Sequence, residues 1–235
     1  NCSSLFGMQN RQQRPATYVA ARVVLGEASR RLAGAEVRTL LDLGAGPAAA
    51  TLAAGEVFPE IEQATLIEKN HPLAAIGEEL LEALLPGRSR WWKRDMTSPV
   101  FDYPAADLVV ISYALGELGA DATRSLSRAW AAAKLALVLI EPGSQEGLAV
   151  VRSARSQLVE EGGTLAAPCP WDGPCPVIAP DWCHFAGRLE RPALYRRLKG
   201  GSLPFEDEKF SYAVFARGGC GKPAAGRIVR RPDHH

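Results

Sequence analysis

Apolar residues along the chain come in short unbroken runs, and between the runs they recur at every third or fourth position. The runs predict strands at 37–43, 63–68, 89–94, 106–112 and 135–141. The spaced stretches predict helices at 48–57, 72–85, 121–134 and 146–161. The run 37–43 is apolar on both faces, which suits a central strand of a parallel sheet. Strand and helix alternate throughout, so the pattern implies an α/β, doubly wound parallel sheet of Rossmann type. Ahead of it, Pro15 can open a helix at 15–33, with Tyr18, Ala21, Leu25, Ala28 and Leu32 on one face and Arg22, Arg30 and Arg31 on the other. That helix reads as a lid or packing element, or as an RNA-facing one.

The texture changes after residue 161. Residues 166–185 contain five prolines and three cysteines, too many prolines for a regular helix or a central strand. Such a segment needs something other than a backbone ladder to order it. A basic, helical-looking stretch follows at 188–199, then the acidic patch Glu206-Asp207-Glu208, and then an alternating strand at 209–217. Three parts result: an N-terminal helical segment at 1–36, a Rossmann-like domain at 37–161, and a cysteine-rich segment with a basic helix and final strand at 162–235.

Composition adds bounds. The 235 residues are 47% hydrophobic and 23% charged, ordinary for a globular protein, and no apolar run reaches the length of a membrane span. The start lacks an initiator Met and a signal-peptide pattern, so the native terminus is expected to lie further upstream. The net charge of +1 is uneven: residues 1–37 sum to +3, 38–151 to −6 and 152–235 to +4. Basic flanks around an acidic domain are either solvated surface or two faces for a polyanion such as RNA.

Candidate chemistry begins at Leu40-Leu41-Asp42-Leu43-Gly44-Ala45-Gly46-Pro47. Gly44 and Gly46 let the backbone turn tightly and approach a ligand. Glu68, at the tip of the next strand, can accept from both hydroxyls of a ribose. Asp42 precedes the glycines, and position 49 is Ala where a dinucleotide fingerprint has its third Gly. Both details favour S-adenosylmethionine over a dinucleotide; an ordinary strand-to-helix turn is the plain alternative. Asp95, after the third strand, is a candidate adenine contact or a surface Asp. The catalytic position after the fourth strand reads Ser112-Tyr113-Ala114-Leu115-Gly116-Glu117-Leu118. It has no prolines to expose carbonyls to an amine and no cysteine nucleophile. Tyr113 and Glu117 could serve there, or be structural.

Five cysteines are present: Cys2, Cys169, Cys175, Cys183 and Cys220. The middle three are spaced C-x5-C-x7-C, which is neither a zinc-knuckle pair nor a ferredoxin run. The spacing fits a generic thiolate metal site, with buried free cysteines and disulfides as alternatives. Cys220 is the only other thiol nearby in sequence, and His184 stands beside Cys183.

Several blocks carry a resemblance: Cys-Pro-Trp-Asp-Gly-Pro-Cys-Pro, Asp-Trp-Cys-His-Phe, Arg-Leu-Glu-Arg and Leu-Lys-Gly-Gly-Ser-Leu-Pro-Phe-Glu-Asp-Glu-Lys-Phe-Ser-Tyr. They resemble the methyltransferase-like assembly factors of the small ribosomal subunit, found in mitochondria and many bacteria. Leu-Asp-Leu-Gly-Ala-Gly-Pro, Ser-Tyr-Ala-Leu-Gly-Glu-Leu and Ile-Glu-Pro-Gly extend the likeness over about residues 15–231. It implies a class I methyltransferase sheet, a 4Fe–4S cluster on Cys169, Cys175 and Cys183, and action on small-subunit ribosomal RNA. The family's fourth cysteine lies beyond the Arg-Ile-Val-Arg-Arg-Pro segment, whereas this chain ends at His235, so either the sequence is truncated or Cys220 substitutes as the fourth ligand. Trp171 stands where many members have a His.

The leading expectation is an assembly and translation factor, a monomer with no membrane association. Asp42, Gly44, Gly46, Glu68 and Asp95 bind S-adenosylmethionine, and Arg188, Arg191, Arg196, Arg197 and Lys199 meet RNA phosphates. An active rRNA methyltransferase and a zinc-stabilised RNA adapter with a vestigial pocket are the alternatives. The expected compartment is bacterial cytoplasm, or the mitochondrion if the source is eukaryotic.

Overall fold

The apolar runs become the parallel half of one sheet: β1 (Thr39–Leu43), β2 (Gln63–Ile67), β3 (Ser89–Trp92), β4 (Ala106–Ser112) and β5 (Ala133–Pro142). A computed structural model describes residues 2–32, 34–169, 171–177, 180–190, 204–218 and 226, with side chains from Ala16 onward. The helices are α1 (Cys2–Arg31), α2 (Ala49–Val57), α3 (His71–Leu84), α4 (Ala122–Ala132) and α5 (Gln145–Glu160). Three later strands, β6 (Thr164–Ala167), β7 (Phe185–Glu190) and β8 (Phe205–Ala216), complete the sheet.

Strand order is β3-β2-β1-β4-β5-β8-β6, with β7 also paired to β8. The first five strands are mutually parallel, and β8 runs antiparallel to β5, β6 and β7. The sheet is therefore mixed, which corrects the expectation of an all-parallel one. The correction has a cause in the chain. β8 starts at Phe205, so the acidic patch at 206–208 is strand, where it pairs with Arg188 and its neighbours in β7. Residues 185–190, the end of the proline-rich segment and the start of the expected basic helix, are strand because β8 offers them an edge.

Successive residues of each central strand serve opposite faces. Leu40, Leu108, Val110, Val138 and Val214 join α1 and α2 in one core. Leu41, Val109, Ile111, Leu137 and Phe215 join α4 and α5 in the other. This period of two explains why the strands carry apolar residues on both faces. Asp107 fixes the register at the N-terminal end of the sheet: its Oδ2 accepts from the backbone N–H of Arg38 and Thr39 and from the Thr39 hydroxyl, at 3.0, 2.8 and 2.8 Å. Helix α1 extends further back than the expected start at Pro15, to Cys2. Among the described residues no helix is long and apolar enough to cross a membrane.

Candidate functional site

Where β1 ends, the chain turns through Gly44 at φ 70° and Gly46 at φ 52°, backbone angles that favour glycine. Gly44 is needed for space as well: a Cβ there would lie 2.6 Å from the Cβ of Ala114 in the loop after β4. The N–H groups of Gly44 and Ala45 both donate to the Ile67 carbonyl, at 2.9 and 3.1 Å, tying this loop to the tip of β2. Glu68 follows directly. It is 8% exposed, and its two oxygens accept from the backbone N–H groups of Gly46 at 2.8 Å and Asn70 at 2.6 Å. Each oxygen keeps a lone pair free, so the carboxylate is both aimed and available. Asn70 in turn caps α3 by accepting from the Leu73 N–H at 3.1 Å.

Asp42 sits below the loop, 1% exposed. Its Oδ2 accepts from the Thr51 hydroxyl at 2.7 Å, while Oδ1 is buried with no partner. Burial pushes its pKa up to about 6, against the pull of Thr51, and the nearby Glu68 charge adds to the rise. Asp95 accepts from the Thr97 N–H at 2.9 Å and the Thr97 hydroxyl at 2.8 Å. The Thr97 backbone bond is the largest influence on its carboxyl, which lies below the usual range, with Lys69 nearby adding to the effect. A cavity of about 310 Å³ gathers Asp42, Gly44, Gly46, Glu68 and Asp95 into one wall, with Thr17 of α1 at its edge. All five sequence-designated cofactor residues thus meet. Helix α1 is a packing element whose Thr17 also reaches the cavity, and Arg22 Nε pairs with Glu56 of α2 at 3.1 Å.

On the far side of the cavity, Tyr113 adopts a left-handed backbone at φ 57°. Its hydroxyl donates to Glu208 of β8 at 3.0 Å. Burial and the Glu208 carboxylate push its pKa upward, so Tyr113 is not poised as a base. Glu117 lines the same cavity and is exposed. Sequence reasoning missed Glu141, which is 3% exposed at the end of β5 and accepts from the N–H groups of Leu115 and Gly116 at 3.0 and 3.3 Å. Burial pushes its pKa up to about 7. A second unforeseen device is Arg128, whose guanidinium lies 4.2 Å from the Tyr103 ring centre and donates to the Met96 carbonyl at 3.1 Å. It braces the loop that carries Asp95. Neither has a local sequence signal, because each acts on a partner some 25 residues or more away.

Cys169, Cys175 and Cys183 are not joined in disulfides; each is half-buried, and together they line one cavity of about 230 Å³ between α5 and β8. The segment that carries them is held by side chains rather than by a ladder, as expected. Arg155 donates to the Trp171 carbonyl at 2.9 Å and to the Gly173 carbonyl, and Arg152 donates to the Val177 carbonyl at 3.0 Å. Ser211 Oγ donates to the Cys183 carbonyl at 2.9 Å, and Trp182 Nε1 to the Gly143 carbonyl at 2.9 Å. Among the described residues, no group of three or more His, Cys, Asp or Glu side chains is close enough to hold a metal ion. The three cysteines nonetheless border the same cavity. Cys220 lies outside the described residues. His184 stacks on Trp182, ring centres 5.6 Å apart.

Of the five residues designated for RNA phosphates, Arg188 is in β7 rather than in a helix. Its Nε and Nη2 meet the two Asp207 oxygens at 2.8 and 3.1 Å, and its guanidinium lies 4.0 Å from the Phe205 ring centre. Arg191, Arg196, Arg197 and Lys199 lie outside the described residues.

A Gly-x-Gly loop after β1, a carboxylate at the tip of β2 and an antiparallel strand beside β5 define a Rossmann-like methyltransferase fold. Solved structures agree on the fold. Precorrin-6y C5,15-methyltransferase from Geobacter metallireducens is 17% identical with a TM-score of 0.54, covering 84% of this chain and 86% of that one. The plantazolicin methyltransferase BpumL in complex with SAH is 10% identical with a TM-score of 0.55, covering 89% and 87%. The family is narrower: the chain belongs to the mitochondrial small ribosomal subunit Rsm22 family, whose model matches residues 9–235. The human mitochondrial ribosome assembly protein METTL17 is 28% identical over 86% of this chain and 48% of its own length. The Schizosaccharomyces pombe mitochondrial Rsm22-cox11 tandem protein 2 is 27% identical over 76% of this chain and 27% of its own. The chain therefore spans about half, or less, of the length of these curated relatives.

Proposed function

We propose that this chain acts in assembly of the small ribosomal subunit as a methyltransferase-like factor that binds S-adenosylmethionine, an iron–sulfur cluster and small-subunit ribosomal RNA. The observation that carries the reading is the family match over residues 9–235, which spans both the Rossmann-like sheet and the cysteine segment. The mitochondrial names of the relatives support a mitochondrial or bacterial-type ribosome as the setting.

In this reading Glu68 takes the ribose hydroxyls on its free lone pairs. Gly44 and Gly46 keep the loop clear of side chains, Asp42 supports the loop from beneath, and Asp95 borders the adenine side. S-adenosylmethionine supplies an electrophilic methyl group when bound. Cys169, Cys175 and Cys183, with Cys220 as fourth ligand, hold a 4Fe–4S cluster, which supplies the cross-link that fixes the proline-rich segment. The role is scaffolding rather than methyl transfer: of the two candidates after β4, Tyr113 is already engaged by Glu208, which leaves Glu117 as the remaining one in the cavity. An active rRNA methyltransferase is the second reading, favoured by the intact cofactor cavity.

Anaerobic purification, calorimetric titration with S-adenosylhomocysteine and tritiated methyl transfer to immature small subunits test these readings together. Iron with sulfide, cofactor binding and no incorporation are expected. Zinc alone would replace the cluster by a zinc-stabilised adapter, and tritium in the RNA would make the chain an enzyme. For RNA, Arg191, Arg196, Arg197 and Lys199 give a slope of about −3 in log affinity against log salt. A flat salt dependence would remove them from the interface.

A further inference from the structure

Helix α5 directs two arginines into the cavity that the three cysteines line. Arg155 is 7% exposed, a place where arginine is almost never found unless paired. Among the described residues, neither Arg152 nor Arg155 has a carboxylate within ion-pair distance. Their hydrogen bonds run to backbone carbonyls instead. Arg155 takes those of Trp171 and Gly173, inside the loop from Cys169 to Cys175. Arg152 takes that of Val177, inside the loop from Cys175 to Cys183. The Nε of Arg155 is buried with no acceptor at all. A guanidinium in such surroundings has dipoles to satisfy its hydrogen bonds but no opposite charge, and burying an uncompensated charge is costly. The missing element is an anion, and the cavity has the chemistry to hold one: a metal centre bound by several thiolates carries net negative charge.

We infer that Arg155, assisted by Arg152, is the charge-balancing and positioning group of the thiolate centre: each guanidinium clamps the loop between two ligand cysteines and offsets the negative charge they share. The inference rests on the reading that Cys169, Cys175 and Cys183 hold a cluster. It adds residues outside the ligand set, on a different element, that sequence spacing cannot reveal. The consequence is electrostatic. Reduction adds one electron and one negative charge to a cluster, so a neighbouring cation favours the reduced form. Net charge and hydrogen bonding around the sulfurs are the levers that set such potentials.

The test uses anaerobically purified wild type, Arg155→Met, Arg155→Lys and Arg152→Met, with iron and sulfide content, an optical redox titration and melting of the apo-protein. Arg155→Met should make reduction harder, lowering the reduced-to-oxidised ratio at fixed potential about tenfold, which is about 59 mV for one electron. Arg155→Lys should stay near the wild-type potential, because it keeps the charge, yet lose iron faster in air, because its ammonium ends one bond short of the Nη2 that reaches both carbonyls. Wild type without iron and sulfide would remove the cluster reading, and this inference with it. A loaded Arg155→Met with the wild-type potential would overturn this inference alone. If Arg155→Met loads no cluster, Arg152→Met decides: a lowered potential supports the pair, and an unchanged one overturns it.

Discussion

Replacing Asp42 by Asn removes a buried titration from the centre of the sheet, and the effect on stability should depend on pH in a defined direction. In the folded protein the Asp42 carboxyl titrates at about 6, against an ordinary value of 3.8. Between those values the folded state keeps a proton that the unfolded state has released. The folded state therefore binds more protons, and stability falls as pH rises through the window and stays low above it. About two pH units at 1.36 kcal/mol each give about 3 kcal/mol in all, of which about 2 kcal/mol falls between pH 4.5 and 7.5. The Asn side chain does not titrate. It places an amide N–H where Oδ1 has no partner, a pH-independent cost of about 1–3 kcal/mol, so the pH slope and not the absolute stability carries the test. Glu141 has the same sign, its folded value pushed from 4.5 to about 7, but it is present in both proteins and cancels in the difference. Urea unfolding followed by circular dichroism from pH 4.5 to 7.5 measures that difference. The variant should gain about 2 kcal/mol on wild type across the range. Parallel curves would refute the buried charge, and so would wild type gaining on the variant.

Three further outcomes follow from the same geometry. Glu68→Gln leaves one of the Gly46 and Asn70 N–H groups facing an amide nitrogen, so affinity for S-adenosylhomocysteine should fall at least tenfold by calorimetry, about 1.4 kcal/mol; unchanged affinity would take Glu68 out of the pocket's function. In Gly77→Ala the new Cβ would lie 2.4 Å from Trp91 Cη2 and 3.2 Å from the Pro47 carbonyl carbon. Overpacking should outweigh the helix-propensity gain and cost about 1–2 kcal/mol, a fall in Tm of about 2–8 °C, and a melting curve that does not move would show that Trp91 yields freely. Tyr113→Phe should leave cofactor affinity unchanged while costing about 1 kcal/mol of stability for the lost Glu208 bond; a loss of methyl transfer in that variant, where wild type shows transfer, would make Tyr113 a catalytic residue after all.

The parallel half of the sheet was legible because its signal is local. Runs such as 106–112 are apolar at every position but Asp107 and Ser112, and the observed β4 has those same bounds. The cofactor corner was legible for the same reason: glycine at positive φ and a carboxylate at a strand tip are constraints written at single positions. The antiparallel half was not. Residues 185–190 are strand only because β8 lies beside them, and nothing within those six residues distinguishes an edge strand from the start of a basic helix. Arg188 shows the limit well. Its sequence neighbours suggest an RNA-facing helix, whereas its side chain is committed to Asp207, nineteen residues away.

By itself, then, the sequence determined the order of strands and helices up to residue 160, the glycine turn, and the clustering of three cysteines in the proline-rich segment, since each of these depends on residue type and spacing alone. Only the tertiary structure decided that β8 inserts antiparallel between β5 and β6, that Tyr113 is tied to Glu208, and that Arg152 and Arg155 of α5 hold the loops between the cysteines. These depend on groups that meet across the fold, and a buried charge or an unsatisfied donor becomes visible only once the surfaces that bury it have closed.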